Sequence, residues 1–305
     1  MPANSTSNTT SSAWFALSDL IRAGVLVNYH VRQQFPAIDI SLPMNERRTD
    51  TFADFQAILC DMDGVITKTA VLHAAAWKRL FDEYLTKLAA RMGSHYAPFK
   101  IEEDYRLYVD GKSRNDGLKG FLESRGLALP LGSPDDGPNR ETVYGLARKK
   151  DQYFEAALRE RGVVVYPGTV QYLRSAKAAG LKTAVVSSSH HCREIIDAAN
   201  LSAMFETRVD GHEIDRLHLS GKPAPDTFLE AARRLAVLPA KAIVIEDAQA
   251  GVQAGQAGGF GLVIGVNRGD QADALRQHGA DIVVADLAEL RGVTALPGPA
   301  GGAVT

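Results

Sequence analysis

Short apolar runs alternate with longer amphipathic stretches along most of the chain. Five of these runs are continuous, bounded by polar residues and typical of buried strands; they occupy residues 57–60, 182–187, 242–246, 262–266 and 281–285. Between most of them the apolar residues recur at helical spacing, which is the pattern of a parallel sheet joined by crossover helices. The sequence therefore predicts a doubly wound α/β core.

A long helical segment interrupts this pattern after the first strand. From about residue 73 to 165 the chain is rich in Lys, Arg, Glu, Tyr and Leu at helical spacing and poor in strand signals. The prolines and glycines in and near residues 128–139 predict a loop between two of its helices. We therefore predict an inserted all-helical domain at 73–165, with the core formed by 55–72 and 166–292.

The two ends of the chain carry no motif. Residues 1–54 begin with a stretch rich in Ser, Thr and Asn, for which we predict disorder, and continue with a segment between Trp14 and Phe35 in which apolar residues recur at roughly helical spacing. The first residues lack the positive region and apolar run of a secretory signal. For residues 293–305, which are rich in Gly, Ala and Pro, we predict a flexible tail.

Composition limits the classes of partner. The formal net charge of −2 and the absence of a basic run do not favour nucleic acid or a membrane surface. Cys60 and Cys192 are too few for a disulfide framework, which indicates a reducing compartment. We therefore expect a cytoplasmic protein, and we also expect a monomer.

The first predicted strand ends in two aspartates and a glycine. Asp61 and Asp63 lie two residues apart in an extended segment and can face the same space. Open α/β folds bind their ligands at the carboxyl edge of the sheet, where this strand ends. Taken alone, the segment also fits an acidic strand end followed by a turn at Gly64.

Three serines and a lysine add phosphate-binding groups at the same edge. Ser187 ends the second predicted strand and, with Ser188 and Ser189, can offer hydroxyl and backbone N–H groups to a phosphate. The alternative is a serine that begins the next helix. Lys222 precedes a proline and can neutralise a phosphate or an aspartate, whereas the alternative is a surface lysine.

A second acidic pair, Glu246 and Asp247, ends the strand at 242–246. Two acidic strand ends at one edge of a sheet would repel each other unless a hard cation lay between them. Carboxylate oxygens are the ligands that Mg²⁺ prefers. The sequence therefore predicts a magnesium-dependent site for phosphate chemistry.

Other known sites do not fit these residues. A calcium loop would require an oxygen ligand at Val65 and a glycine at Ile66, and neither the dinucleotide-binding glycine pattern nor a P-loop occurs. His190 and His191 are explained most simply as residues at the start of a helix, with metal ligation as the alternative.

Together, these motifs and their order resemble the haloacid dehalogenase superfamily of phosphotransferases with a helical cap, over about residues 55–290. More narrowly, DGVITKTAVLHAAAWK at 63–78 resembles the β-phosphoglucomutase branch, whose members share Thr69, His73 and Trp77. The segment DGKSRNDG at 110–117 is similar to the substrate-phosphate loop of that branch, and EDAQAGVQA at 246–254 is similar to its magnesium motif.

The resemblance implies a division of labour between the aspartates. Asp61 would be the nucleophile that forms an aspartyl-phosphate, and Asp63 would be the general acid and base for the sugar hydroxyl. Mg²⁺ would be held by Asp61, the backbone carbonyl of Asp63 and Asp247, with Glu246 in support. Ser187 and Lys222 would hold the transferring phosphoryl group.

The resemblance also implies a set of substrate contacts. Arg114 would grip the second phosphate of a sugar bisphosphate through its two-pronged donor geometry, and Lys149 is a further candidate for that task. The full set of implied phosphate or substrate contacts is Thr69, His73, Trp77, Gly111, Lys112, Ser113, Arg114, Lys149, Ser187, Ser188, Ser189, His190, His191 and Lys222.

Two departures from the branch pattern concern the substrate. His190 and His191 stand where the pattern has a lysine and an asparagine, and Lys68 stands where it has an acid. The first hypothesis is a mutase that interconverts β-glucose 1-phosphate and glucose 6-phosphate, and the second is a sugar-phosphate phosphatase. A catalytically silent sensor is a third, disfavoured because a sensor needs no nucleophile such as Asp61.

Overall fold

A computed structural model describes residues 55–290. Our predictions for residues 1–54 and for the tail at 293–305 lie outside the described residues. Among residues 55–290, none of the helices combines the length and the apolar character that crossing a bilayer requires.

The core of the described part is a parallel sheet of six strands. In chain order the strands are β1 (Ala57–Cys60), β2 (Lys182–Val186), β3 (Thr207–Val209), β4 (Ala242–Glu246), β5 (Leu262–Val266) and β6 (Ile282–Val284). Their order in the sheet is β3-β2-β1-β4-β5-β6, and every neighbouring pair is parallel. This arrangement confirms the predicted doubly wound core.

Strand β1 lies at the point where the order of strands reverses. It pairs with β2 on one side and with β4 on the other, with Cys60 opposite both Val185 and Ile245. All residues of β1 and β4 are buried, as expected for a parallel sheet covered on both faces. The residues that follow β1 therefore meet the ends of β2 and β4 where such folds bind ligands.

Three α-helices and a π-helix follow β1 and form the helical insertion, and a fourth α-helix, described below, leads into β2. The helices of the insertion are α1 (Ala70–Met92), the π-helix (Ile101–Val109), α2 (Arg114–Ser124) and α3 (Val143–Arg161). The loop predicted at 128–139 is confirmed, since α2 ends at Ser124 and α3 begins at Val143. We call this helical insertion the cap.

The remaining α-helices cover the two faces of the sheet. They are α4 (Pro167–Ala178), α5 (Cys192–Ala198), α6 (Gly211–Leu217), α7 (Asp226–Leu235), α8 (Gln249–Ala257) and α9 (Ala272–Gln277). In α7 the buried residues Phe228, Ala231 and Leu235 recur at helical spacing. They join Leu59 and Val244 in the main hydrophobic cluster of the sheet.

The cap has a hydrophobic cluster of its own, built around three fully buried phenylalanines. The ring centroid of Phe81 lies 4.1 Å from that of Phe121 and 5.1 Å from that of Phe99. Phe99 meets Phe121 edge to face at 4.9 Å, a geometry that aromatic quadrupoles favour. This cluster fixes α1, α2 and the segment before the π-helix relative to one another.

Two adjacent segments of chain connect the cap to the core. Thr67 and Val165 form an antiparallel bridge. The backbone N–H of Lys68 donates to the carbonyl of Val164 at 2.8 Å, and that of Tyr166 donates to the carbonyl of Ile66 at 2.9 Å. We call these paired segments, residues 66–69 and 164–166, the hinge.

The sequence pattern missed one strand. Strand β3 has only three residues, Thr207–Val209, of which two are half-buried, so it lacks the apolar run by which the other strands were recognised.

Helix α1 begins at Ala70 and crosses the predicted boundary at 72/73 without a break. The domain boundaries therefore stay a prediction.

We expect Phe121→Ala to lower the free energy of unfolding by about 3–5 kcal/mol, because the truncation leaves a cavity in the centre of the cap cluster. Leu107→Ala is the matched control, since Leu107 is 57% exposed and should change stability by less than about 0.5 kcal/mol. Urea unfolding of both variants measures the difference. Equal effects would show that the cluster does not stabilise the cap.

Candidate active site

Asp61 lies directly after β1, where it meets a buried lysine. Its side chain is almost fully buried, and the Nζ atom of Lys222 lies 2.5 Å from its Oδ1. The same Nζ donates to Oε1 of Glu246 at 2.6 Å. Lys222 thus joins carboxylates from the ends of two neighbouring strands.

Burial and the neighbouring charges have competing effects on the pKa values of Asp61 and Lys222. Burial raises the pKa of Asp61 well above its ordinary value, the charge of Lys222 lowers it, and Glu246 raises it further. Burial would lower the pKa of Lys222, but the charges of Asp61 and Glu246 outweigh burial and raise it. Lys222 therefore stays an ammonium ion, which stabilises the ionised form of Asp61.

Asp247 completes a group of three acidic side chains. Carboxylate oxygens of Asp61, Glu246 and Asp247 lie within 4.8 Å of one another, and all three residues are buried. Burial, followed by the charges of Asp110 and Glu246, raises the pKa of Asp247 well above its ordinary value. Converging buried carboxylates fit the oxygen ligands of a hard divalent cation, whose charge would offset their repulsion.

Gly64 allows the first strand end to approach this acidic group. Its φ angle is +89°, and a Cβ atom at this position would collide with the carboxylate of Asp247. Only glycine meets both conditions without strain.

Asp63 contacts the hinge and the second strand. The hydroxyl of Thr69 donates to its Oδ1, and the hydroxyl of Ser187 donates to its Oδ2 at 3.4 Å. Burial raises the pKa of Asp63, but the interactions with His73, the hydrogen bond from Thr69 and the charge of Lys150 outweigh burial and lower it. Asp63 is therefore an ionised carboxylate in a different environment from Asp61.

His73 is oriented by the cap. Its ring stacks on Phe154 with centroids 3.8 Å apart, and its Nδ1 lies 2.8 Å from Nζ of Lys150. Because an ammonium group only donates, Nδ1 accepts this hydrogen bond and the ring proton lies on Nε2. Nε2 lies 3.5 Å from Oδ1 of Asp63, so the donor side of the ring faces that carboxylate.

A pocket lies between these residues and the cap. Of the predicted site residues, those that line it are Asp61, Asp63, His73, Trp77, Gly111, Lys112, Arg114, Ser188, Ser189, His190 and Asp247. Cap residues that the sequence analysis did not single out also line it, namely Tyr105, Val109, Asp110, Lys150 and Asp151. The hydroxyl of Ser188 donates to the carbonyl of Gly111 at 2.9 Å, which joins core and cap at the pocket wall.

The structure does not bring every predicted residue to the pocket. Lys149 pairs with Glu83 at 3.0 Å and lies near the ring of Tyr153. It thus lies on a different side of α3 from the residues that line the pocket. The next residue, Lys150, is buried and lines the pocket instead. The sequence KKD offered two lysines and a carboxylate, and the spacing alone could not tell which of them faces the site.

Ser113 caps a helix. Its hydroxyl accepts a hydrogen bond from the backbone N–H of Asp116 at 3.2 Å and lies 2.7 Å from the carboxylate of the same residue. This is the ordinary geometry of a serine at a helix N-terminus. A substrate contact by Ser113 stays a prediction.

The two histidines after the serine loop have different surroundings. His190 lines the pocket, lies 2.8 Å from Oδ2 of Asp215 and meets the ring of His212 edge to face. His191 packs against Phe154. Burial, followed by the charge of Arg114, lowers the pKa of His190, so this ring is neutral at neutral pH.

Arg268 was also missed by the sequence analysis. Its Nε donates to the carbonyl of Gly64 at 2.6 Å, and its guanidinium stacks on the ring of Tyr166 at 3.4 Å from the centroid. The residue thereby connects the loop after β1 to the core side of the hinge. An isolated arginine in a loop after β5 carries no motif by which the sequence could reveal this contact.

Comparison with known proteins places these features in a family. The sequence model of the haloacid dehalogenase-like hydrolases matches residues 55–259. A β-phosphoglucomutase of Mycobacterium tuberculosis (strain CDC 1551 / Oshkosh) is 50% identical over 238 residues, which cover 77% of this chain and 91% of that protein. The β-phosphoglucomutase of Bacillus subtilis (strain 168) is 30% identical over 235 residues, 77% of this chain and 91% of that protein.

A solved structure is similar as well. The crystal structure of a β-phosphoglucomutase from Clostridium difficile superimposes with a TM-score of 0.60 at 25% sequence identity, covering 78% of this chain and 93% of that chain. Both the sequence and the fold are thus similar to those of β-phosphoglucomutases.

We expect Gly64→Ala to lower the free energy of unfolding by roughly 3 kcal/mol or more, since it adds backbone strain and a collision with Asp247. Gly126→Ala is the matched control, because Gly126 also has a positive φ angle, +70°, but a Cβ atom there meets open space. That variant should lose about 1 kcal/mol. Urea unfolding of the two variants compares these losses, and equal values would mean that the approach to Asp247 is not tight.

Proposed function

The chain belongs to the haloacid dehalogenase-like hydrolase family, and from this membership we propose that it is a magnesium-dependent β-phosphoglucomutase. Such an enzyme interconverts β-glucose 1-phosphate and glucose 6-phosphate through an aspartyl-phosphate and a sugar bisphosphate. The 50% identity to a β-phosphoglucomutase over most of both chains supports this activity. Because the chain belongs to a family of enzymes, the hypothesis of a catalytically silent sensor is without support.

The observation that carries the proposal is a pocket with a suitable group at each end. At the core end lies the acidic group that includes Asp61, with Lys222 beside it. At the cap end Arg114 and Lys150 present two cations. A sugar bisphosphate has one phosphate for each end, and either phosphate can face Asp61 if the sugar turns round.

The residues at the core end of the pocket would carry out the phosphoryl transfer. Asp61, the backbone carbonyl of Asp63 and Asp247, with Glu246 in support, would hold Mg²⁺, which neutralises charge on the phosphoryl group. Lys222 and Ser187 would bind the phosphoryl oxygens. Because the transition state of phosphoryl transfer needs mainly positioning and charge neutralisation, these groups lower its barrier.

Asp63 would move the proton. In the first half-reaction a sugar hydroxyl attacks the phosphorus of the aspartyl-phosphate, and Asp63 takes the hydroxyl proton. In the second half-reaction the carboxylate of Asp61 attacks the other phosphate of the bisphosphate, and Asp63 returns the proton to the departing sugar oxygen. The lowered pKa of Asp63 suits the first of these roles, since the free carboxylate is the base.

Three further predictions concern the substrate, the oligomeric state and the cellular location of the enzyme. We propose a sugar phosphate as its substrate and retain the predictions that it works as a monomer in the cytoplasm. Size-exclusion chromatography and cell fractionation test these two points separately from activity.

A sugar-phosphate phosphatase is the second candidate. It is favoured by His190 and His191, which stand where the mutase pattern has a lysine and an asparagine. Both candidates form the same aspartyl-phosphate on Asp61 and differ in whether a sugar hydroxyl or water attacks it.

Phosphorus NMR with Mg²⁺, β-glucose 1-phosphate and a trace of glucose 1,6-bisphosphate distinguishes the candidates. We expect glucose 6-phosphate to accumulate, and we expect Asp61→Asn to abolish its formation because the nucleophile is lost. Asp273→Asn, at an exposed carboxylate of α9, is the matched control and should retain activity. Inorganic phosphate in place of glucose 6-phosphate would identify a phosphatase.

Arg114→Ala should reduce mutase turnover by about 10- to 100-fold, because a charged hydrogen bond to the distal phosphate is lost, while hydrolysis of a small aryl phosphate should change little. Arg125→Ala is the control: Arg125 is a cap arginine that pairs with Asp104 at 2.8 Å. Steady-state rates on both substrates test this role. Equal losses on the two substrates would contradict a distal grip by Arg114.

A further inference from the structure

The arginine at the cap end of the pocket already holds an anion that belongs to the chain itself. The guanidinium of Arg114 forms an ion pair with Oδ2 of Asp151 on α3. Both residues line the pocket, with side-chain exposures of 26% and 13%. The pair therefore occupies the end of the pocket that is proposed to receive the distal phosphate.

The second oxygen of Asp151 faces two more cationic or donor groups. Nζ of Lys150 lies 3.6 Å from its Oδ1, and Nε2 of His191 lies 4.0 Å from the same atom. Burial raises the pKa of Asp151, but the charges of Lys150 and Arg114 outweigh burial and lower it. Asp151 is thus a carboxylate anion surrounded by positive charge.

Two of the surrounding donors are left without a partner. Among residues 55–290, neither Nε of Arg114 nor Nε2 of His191 has a hydrogen-bond partner, although both atoms are buried. Buried polar atoms are nearly always paired in native proteins. The carboxylate thus engages only part of the donor set around it, whereas a phosphate has more oxygens to offer.

We propose that Asp151 is a specificity-determining residue that competes with the distal phosphate of the substrate for Arg114. It occupies the arginine in the free enzyme and must give way, wholly or in part, when a phosphate binds. The inference rests on the proposed function, because it assigns the cap end of the pocket to the second phosphate.

Competition of this kind has a consequence for a mutase. The bisphosphate must leave the cap end and turn round before its other phosphate can reach Asp61. When the carboxylate of Asp151 pairs with Arg114 again, the enzyme binds the bisphosphate more weakly. The like charges of the carboxylate and the phosphate also repel each other. Asp151 would thus lower affinity for the intermediate and speed its release from the cap.

The alternative role for Asp151 is to position Arg114. In that case the carboxylate holds the guanidinium in a conformation that favours the phosphate, and its removal weakens binding. The two roles predict opposite changes in affinity for the same variant, Asp151→Asn, which removes the charge and keeps the size of the side chain.

The experiment measures binding of glucose 1,6-bisphosphate with Mg²⁺ by titration calorimetry, in an Asp61→Asn background that prevents turnover. We expect Asp151→Asn to tighten binding by about tenfold, since a competing anion is removed. We expect no tightening when Arg114→Ala is also present, because the competition is for that arginine. This double-mutant cycle assigns the effect to the pair.

Glu155→Gln is the matched control. Glu155 lies on the same helix, one turn from Asp151, and its Oε1 is 3.9 Å from Nε2 of His191. Glu155→Gln should change the affinity for glucose 1,6-bisphosphate by less than about twofold. If any negative charge on the cap weakened binding, Glu155→Gln would instead tighten binding as much as Asp151→Asn. Melting temperatures of all variants verify that they are folded.

Three outcomes would overturn the inference: weaker binding in Asp151→Asn, tightening that persists with Arg114→Ala, or equal tightening in Glu155→Gln. In the active enzyme, Asp151→Asn should lower both KM and kcat for β-glucose 1-phosphate. If the wild-type chain forms no glucose 6-phosphate, the proposed function fails. If it does and Asp151→Asn fails to tighten binding, only the role of Asp151 fails.

Discussion

The buried ammonium of Lys222 is the interaction on which the site depends. The pairing of β1 with β4 places Asp61 beside Glu246, and two carboxylates so close and so deeply buried repel each other. Lys222 lies within hydrogen-bond distance of both. Removing one partner from a buried ion pair costs about 3–5 kcal/mol, so the lysine holds the loop before α7 against two strand ends. Its charge also offsets part of the burial that raises the pKa of Asp61.

The cap contributes rigidity of a different kind. Its aromatic cluster fixes α1, α2 and the segment that leads into the π-helix. The pocket-lining residues Trp77, Arg114 and Val109 lie on α1, on α2 and at the end of the π-helix. The π-helix ends immediately before Asp110 and Gly111, which lie at the pocket, in keeping with the frequent occurrence of π-helical turns at functional sites. The cap side of the pocket is thus held by a packed cluster that is separate from the core of the sheet.

The sequence revealed the core end of the site much better than the cap end. Asp61, Ser187 and Glu246 are recognisable because each follows or ends a run of apolar strand residues, and parallel strands bring such ends to one edge. Asp63 and Lys222 stand near the same strand ends, and the resemblance to a known superfamily implied their roles. In the structure Lys222 joins Asp61 to Glu246, and Ser187 contacts Asp63.

The cap end could not be derived in the same way. Neighbouring residues of a helix point about 100° apart, so the choice between Lys149 and Lys150 depends on how α3 rotates against α1 and the core. Asp151 and Arg114 are far apart in sequence, and their pairing depends on the packing of α2 against α3. Strand β3 was missed because a short, half-buried edge strand has no apolar run.

The contacts of Asp63 have a consequence for the fate of the aspartyl-phosphate of the proposed mutase. Thr69 and His73 lie at the start of α1, on the cap side of the bridge between Thr67 and Val165, yet both face a carboxylate that belongs to the core. Any rotation of α1 away from the sheet carries them away from Asp63. In the proposed mutase, Asp63 would then be correctly oriented as a base only while the cap excludes bulk water. Water that entered an open pocket would meet the aspartyl-phosphate without a positioned base.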